Sequence, residues 1–233
     1  SKGKYFDKFR NRVIFPIINT RGKVIGFGGR TIGEDMPKYL NSRESSVFLK
    51  KNNLYGLSVT RSEMTKTGYA VLVEGYMDVI SLYQRGICNV AASLGTALTE
   101  NQAKLLKRYV SNVVLAYDSD EAGRKAAFRG MDILHREEFK VKIPHMSEAK
   151  DPDDFIKAKG RSAFIKLMKE ALPYADYKLT AIKKEVNMKT TEGRVDFLKK
   201  AVEVLKTLGP VEADIYIKKL AAETGISEGA IRA

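Results

Sequence analysis

Acidic residues fall in three short clusters along an otherwise basic chain. They are Glu74 in VLVEGYMDV, Asp118 and Asp120 in VVLAYDSDEAG, and Asp151 and Asp153 in AKDPDDF. The first two clusters follow apolar runs that read as buried strands, where a carboxylate is costly unless something neutralises it. The usual neutraliser of such oxygen ligands is a divalent cation of the magnesium type. In a chain of net charge +13, that points to phosphate chemistry on nucleic acid.

Each cluster has a chemical and a plain structural reading. In Asp118-Ser119-Asp120 the two carboxylates alternate along an extended segment and can face one ion. Helix capping explains one of these acids well and two less well. Glu74 ends an apolar strand, and Gly75 after it permits close approach of a ligand. With a helix starting near Tyr76, Asp78 projects toward the same side, or serves as a first-turn dipole partner. Asp151-Pro152-Asp153-Asp154 precedes a helix expected to begin near Phe155; Asp and Pro are ordinary helix starters, and the motif gains weight only by recurring after the same strand pattern. The segment Ser93-Leu94-Gly95-Thr96 is either a phosphate-approaching loop or a simple strand-to-helix connection.

Cations crowd the N-terminal stretch: Arg10, Arg12, Arg30, Lys38, Arg43, Lys50 and Lys51, with Tyr39 and Asn41 interleaved. Lysine and arginine pair with phosphates, and an aromatic ring offers a base a stacking face. The alternative is a solvated surface loop.

Three regions must position these groups. Up to about Thr67, a hairpin is expected from Val13 to Ile18 and Val24 to Phe27, turned at Arg21-Gly22, followed by a structured loop through PKYLNSRESSVFLKK. From Gly68 to Gly160, strands at 69–73, 90–92, 112–117 and 139–143 alternate with helical patterns. Thr99-Glu100-Asn101-Gln102 forms a capping box within this region. Such alternation implies βαβ units and a mostly parallel sheet, whose ligands bind beyond the carboxyl ends of the strands. Glu74, Asp118 and Asp120 fall at that edge. From Arg161 onward the chain is helical, with one apolar face on Val195, Leu198, Ala201, Val202 and Leu205 and another on Ile215, Ile217, Leu220 and Ala221.

The fold class is therefore α/β, with regions 1–67, 68–160 and 161–233. Lys+Arg 41 against Asp+Glu 28 suits a polyanionic partner, and a hydrophobic content of 44% is ordinary for a globular chain. The one cysteine, Cys88, excludes an internal disulfide or a cysteine-based zinc site within these residues and reads as a small core residue. No run is long and apolar enough to span a membrane and no signal peptide is visible, so the cytoplasm is expected. The opening Ser1-Lys2-Gly3, without an initiator methionine, suggests part of a longer chain.

A strand ending in Glu-Gly, a later strand ending in D-x-D-x-A-G, and βα alternation between them resemble the Toprim domain. DnaG-type primases, topoisomerases of types IA and II, and some nucleases share it. The ordered motifs FRNRVIFPI, GKVIGFGGR, PKYLNS, LYGL, VEGYMDVI, ASLGTALT, AYDSDEAGRKAA and DPDDF narrow the resemblance to the RNA polymerase domain of bacterial replicative primases. The resemblance implies a Toprim-like, mostly parallel core flanked by a basic N-terminal α+β lobe and a C-terminal helical bundle. Glu74, Asp118 and Asp120 match acids that hold two or more Mg²⁺ or Mn²⁺ ions. Asp151 and Asp153 match a further acidic pair, and Asp78 a supporting acid. Arg30, Lys38, Tyr39, Asn41 and Lys50 match a patch that guides nucleotides and template. The implied activity is synthesis of short RNA primers on single-stranded DNA from nucleoside triphosphates, through an RNA–DNA hybrid. The resemblance also implies a zinc-binding domain before this region and a helicase-binding region after it, both expected outside these residues. Other readings at this stage are a topoisomerase fragment, a nuclease, or a nucleotide-binding fragment without turnover.

Overall fold

In the computed structural model, Arg12–Ile18 (β1) and Val24–Thr31 (β2) pair antiparallel as the expected hairpin. The described residues are 6–34, 36–146 and 149–232. β2 runs beyond Phe27 because Gly28 lets the strand pass under Tyr76; a Cβ there would lie 2.7 Å from the ring. Within the stretch expected to be a loop, Tyr39–Asn41 (β3) adds a third strand, with Arg30 opposite Tyr39 and Gly28 opposite Asn41. That pairing puts Arg30, Tyr39 and Asn41 on one sheet face.

Leu57–Thr67 (α1) leads to Ala70–Val73 (β4), four apolar residues that are all buried, as in a strand covered on both faces. Tyr76–Gln84 (α2), Val90–Ala92 (β5), Glu100–Lys107 (α3), Asn112–Leu115 (β6), Glu121–Arg136 (α4) and Lys140–Ile143 (β7) follow in βα alternation. The strands pair in parallel in the order β5-β4-β6-β7, with Leu72 opposite both Ala91 and Leu115. The Thr99 capping box forms as expected: Thr99 Oγ1 accepts the Gln102 N–H at 3.2 Å, and Gln102 Oε1 accepts the Thr99 N–H at 3.0 Å.

Pro152–Lys169 (α5) starts earlier than expected, because Asp151 caps it and Pro152 supplies a preformed first turn. It breaks at Gly160, whose backbone leaves the helical region (φ 78°, ψ 176°). Val71, Val73, Leu82, Val114, Phe155, Ile156 and Phe164 form the core between β4, β6, α2 and α5. A second core joins Phe15, Ile17 and Phe48 of the basic lobe to Tyr76 and Leu94, so lobe and sheet share buried surface. Both lie in one unit, Ser1–Ala171.

The second unit, Leu172–Ala233, contains Tyr174–Lys184 (α6), Thr191–Leu205 (α7), Pro210–Thr224 (α8) and Glu228–Arg232 (α9). Its apolar faces match those expected at Ala201, Leu205, Ile217 and Leu220 and depart from them at the edges. Phe197, Ala201, Val204 and Leu205 are buried, whereas Val195 and Ile215 are 42% and 61% exposed. Cys88 is half-buried, not a core residue, since it lies between α2 and β5. Among the described residues, no helix is long and apolar enough to cross a membrane.

Candidate active site and metal centre

β4 and β6 are adjacent and parallel, so the loops after them emerge side by side. Glu74 follows β4, and its Oε1 accepts the backbone N–H of Asp118 at 3.1 Å. Asp120 caps α4, its Oδ1 accepting the Gly123 N–H at 2.7 Å. Gly123 packs against the turn so closely that a Cβ would sit 2.3 Å from the Asp118 carbonyl oxygen. Only glycine fits there, which gives the D-x-D-x-A-G pattern its physical reason.

Two further residues tie in the third acidic loop. Ser119 donates its backbone N–H to the Lys150 carbonyl at 2.8 Å, and its Oγ lies 2.9 Å from the Ala149 carbonyl and 3.0 Å from that of Lys150. Asp78 accepts the Gly75 N–H on Oδ2 at 3.0 Å and the Asp153 N–H on Oδ1 at 3.2 Å. The loops after β4, after β6 and before α5 are thus joined pairwise, by Glu74 to Asp118, Ser119 to 149–150, and Asp78 to Asp153.

These acids share one electrostatic environment. Burial pushes the Asp118 carboxyl up to about 7, with added repulsion from Glu74, Asp78, Asp151 and Asp120. Burial also raises Asp78 to about 7, reinforced by Asp151 and Asp153 and opposed by its backbone hydrogen bonds. Glu74 is raised as well, by burial and then by Asp120, while the Asp118 N–H opposes the shift. Glu74, Asp78 and Asp118, each raised by burial and by neighbouring acids, mark a site suited to added positive charge.

The donor set passes a direct test of fit to a divalent cation. Asp118 Oδ1 and Asp153 Oδ1 are buried oxygens with no hydrogen-bond partner. Orphaned carboxylate oxygens at the carboxyl edge of a sheet are the hard ligands that Mg²⁺ or Mn²⁺ takes. Among the described residues, Asp151, Asp153 and Asp154 form a group of three carboxylates whose oxygens lie within 4.8 Å of one another. Asp154, the last acid of the DPDD motif, thus joins the two acids of that motif expected as ligands. One Asp153 oxygen is paired with Lys157 at 2.6 Å, leaving the other as the orphan.

The basic lobe faces these acids through Tyr39. Burial raises its hydroxyl, Arg30 opposes the shift, and Asp78, Asp153 and Asp151 add to it, while its ring lies 6.2 Å from that of Tyr76 at the start of α2. Arg30 lies 5.9 Å over that ring. Asn41 is committed within the protein: its Oδ1 accepts the Tyr76 hydroxyl at 2.7 Å, and its Nδ2 donates to the Leu94 carbonyl at 3.1 Å. Lys38 is exposed. Lys8, which the sequence reading missed, donates to the Asn41 carbonyl at 2.8 Å and feels the charges of Arg43 and Lys50. Arg12 spends its guanidinium on the Gly29 and Lys38 carbonyls, so it braces β2 against the following loop.

A parallel sheet that gathers acids from successive loops at its carboxyl edge, capped by an Asp-x-Asp turn, defines a Toprim-type α/β protein. The family described as Toprim-like matches residues 71–156. The chain belongs to the bacterial DNA primase family. Residues 1–61 match the N-terminal domain of the DNA primase catalytic core, and residues 175–229 match the DnaB-helicase binding domain of primase. The latter match corrects the expectation that the helicase-binding region lies outside these residues.

A DNA primase from Clostridium acetobutylicum is 50% identical over 227 residues, covering 97% of this chain and 38% of that protein. A DNA primase domain from Pseudomonas aeruginosa superposes with a TM-score of 0.86 at 39% identity, covering 99% of this chain and 73% of that one. A DnaG primase catalytic domain bound to ssDNA gives a TM-score of 0.85 at 34% identity, covering 96% of this chain and 72% of that one. The chain therefore spans well under half the length of the curated relative. These relatives favour neither the topoisomerase nor the nuclease reading.

Proposed function

We propose that this chain carries the catalytic core of a bacterial primase, synthesising short RNA primers on single-stranded DNA in the cytoplasm at the replication fork. The single observation that supports this most is the joined acidic loops, with orphaned oxygens on Asp118 and Asp153, facing a cationic, aromatic lobe. The functional regions are a basic lobe at 1–67, a Toprim core at 68–160 and a helical region at 161–233, the last of which engages the replicative helicase.

Glu74, Asp118 and Asp120 hold one part of the ion site, and Asp151 and Asp153, joined by Asp154, the other. Mg²⁺ or Mn²⁺ supplies activation of a hydroxyl nucleophile and neutralisation of triphosphate charge at such a site. Arg30, Lys38 and Lys50 pair with phosphates, and Tyr39 offers its ring to a base or sugar. Asn41 fixes the lobe strand that presents them, and Asp78 holds the acidic loops in register. In the reaction, a primer ribose 3′-oxygen attacks the α-phosphorus of an incoming nucleoside triphosphate. The P–O bond to the β-phosphate breaks, pyrophosphate leaves, and the hydroxyl proton passes to water. The growing product is an RNA–DNA hybrid. No protein nucleophile takes part.

The test is Asp118→Ala in a manganese-dependent assay with labelled nucleoside triphosphates and single-stranded DNA. Wild type is expected to yield short RNA, and the variant at least about a hundredfold less, with unchanged circular dichroism. A variant that keeps its fold and its primer synthesis overturns the assignment. Wild-type chain that binds nucleotide and manganese without releasing pyrophosphate favours the reading without turnover.

A further inference from the structure

Ser119 stands between two aspartates that would hold ions, yet its own side chain points to neither role. Its hydroxyl has one hydrogen and two carbonyl oxygens in range, those of Ala149 at 2.9 Å and Lys150 at 3.0 Å. Its backbone N–H reaches the Lys150 carbonyl as well, at 2.8 Å, and its own carbonyl accepts from Arg124 at 2.8 Å. Every polar atom of this residue is engaged, and the side chain is spent on the two residues immediately before Asp151. Asp151 in turn caps α5 through the Asp154 N–H at 2.8 Å, so whatever sets the 149–150 segment sets the start of that helix.

We infer that Ser119 is a positioning residue: its hydroxyl fixes the spacing between the Glu74, Asp118 and Asp120 carboxylates and the Asp151, Asp153 and Asp154 group, so that cations bound to the two groups act together. The inference rests on the proposed metal centre and adds to it the part that sets its width. The physical reason is economy of restraint. Within the described residues, the loop before α5 meets the acidic turn after β6 through Ser119 and meets the loop after β4 through Asp78. Loss of the hydroxyl leaves the backbone bond to Lys150 as the tie from the turn after β6 and removes the one shared between the Ala149 and Lys150 carbonyls, while Asp78 still holds the Asp153 N–H. The 149–151 end of the Asp151 group is then less firmly placed relative to Asp118, while the link from Glu74 to Asp118 stays intact. The defect therefore falls on one group of ligands and spares the other, which distinguishes positioning from general loosening.

The experiment is a Mn²⁺ titration of the intact chain, read by electron paramagnetic resonance of free manganese, on wild type, Ser119→Ala and Ser119→Thr. Wild type is expected to bind in two phases. Ser119→Ala should weaken the weaker phase by about tenfold, the low end of what outer-shell partners of metal ligands cost. The tighter phase and the melting temperature of the metal-free chain should not move. Ser119→Thr, which keeps the hydroxyl, should restore the weaker phase. An alanine isotherm that superposes on wild type overturns the inference, as does weakening of both phases together with a lowered melting temperature. A wild-type chain that binds no manganese fails at the metal centre itself, and that outcome is separable from failure of Ser119 alone.

Discussion

Aspartates in the two units of this molecule live under opposite rules. In the helical unit, Asp176 accepts from Lys219 at 2.6 Å and from the Tyr216 hydroxyl at 2.9 Å. Asp214 meets Lys218 at 2.8 Å and also pairs with Arg232, and those hydrogen bonds hold its carboxyl below the usual range. In the first unit, Asp78 and Asp118 sit among other acids, and burial lifts both to about 7. The helical unit sets lysines against both of these aspartates; in the first unit Lys157 pairs with Asp153, while Asp78 and Asp118 are governed by burial and by other acids. The same residue type serves a solvated helix surface in one place and a cation-seeking site in the other.

The sharpest way to break this contrast is at Gly123. Gly123→Ala forces a methyl to within 2.3 Å of the Asp118 carbonyl, so the Asp-Ser-Asp turn must shift. We expect about 1–3 kcal/mol of lost stability, typical of overpacking at a close contact, and at least about tenfold weaker Mn²⁺ binding. Calorimetric titration that finds normal affinity would mean that the turn tolerates displacement.

The second prediction concerns pH. A folded carboxyl raised to about 7 holds a proton that the unfolded chain releases near 4, so its contribution to stability is present at low pH. That contribution is lost as pH climbs through about 7. In chelator, the melting temperature of the first unit should therefore fall by a few degrees or more between pH 5 and pH 8. Saturating Mg²⁺ should reverse the fall, because a bound cation favours the ionised form. Asp78→Asn should flatten the chelator profile. For Asp214, whose carboxyl is lowered, the sign is reversed: its contribution is present above about 4 and lost as pH falls below that. A flat chelator profile in wild type would show that the acids of the first unit are not strained.

A smaller effect is expected on the lobe. Lys38→Ala should weaken nucleotide or single-stranded DNA binding by several-fold and flatten its salt dependence, with Mn²⁺ affinity nearly unchanged. The opposite ordering in a fluorescence titration would remove Lys38 from the phosphate-binding set. The smallest effect belongs to the paired unit. Lys219→Ala removes a largely exposed ion pair and should cost less than about 1 kcal/mol in thermal unfolding, with no change in metal binding.

Much of the sheet was legible because strands buried on both faces leave continuous apolar runs. The run AVLV at 70–73 and the run VAA at 90–92 stand in the structure as read. The capping box at Thr99 was equally plain, since its partners are three residues apart. α1 was not anticipated: it buries only Leu57, Thr60 and Met64, and glycines in the left-handed region close both its ends. The start of α5 is not legible in the sequence, because Asp151-Pro152 reads as a preface to a helix near Phe155, whereas it is the cap and first turn.

The acids themselves could be found from composition and spacing. Their mutual bracing could not, because Glu74 and Asp118 lie 44 positions apart and Asp78 and Asp153 lie 75 apart. Asn41 shows the same limit. Its place among cations suggested a ligand contact, but its amide is occupied by Tyr76 and Leu94, partners that only the fold supplies.

The pairwise bracing of the acidic loops leaves Asp118 Oδ1 and Asp153 Oδ1 outside every hydrogen bond. The framework thus stands on one set of atoms and the ligands are offered from another. For the proposed site, this separation means that a cation could come and go without the walls giving way, because the bonds that brace the loops do not pass through those two oxygens.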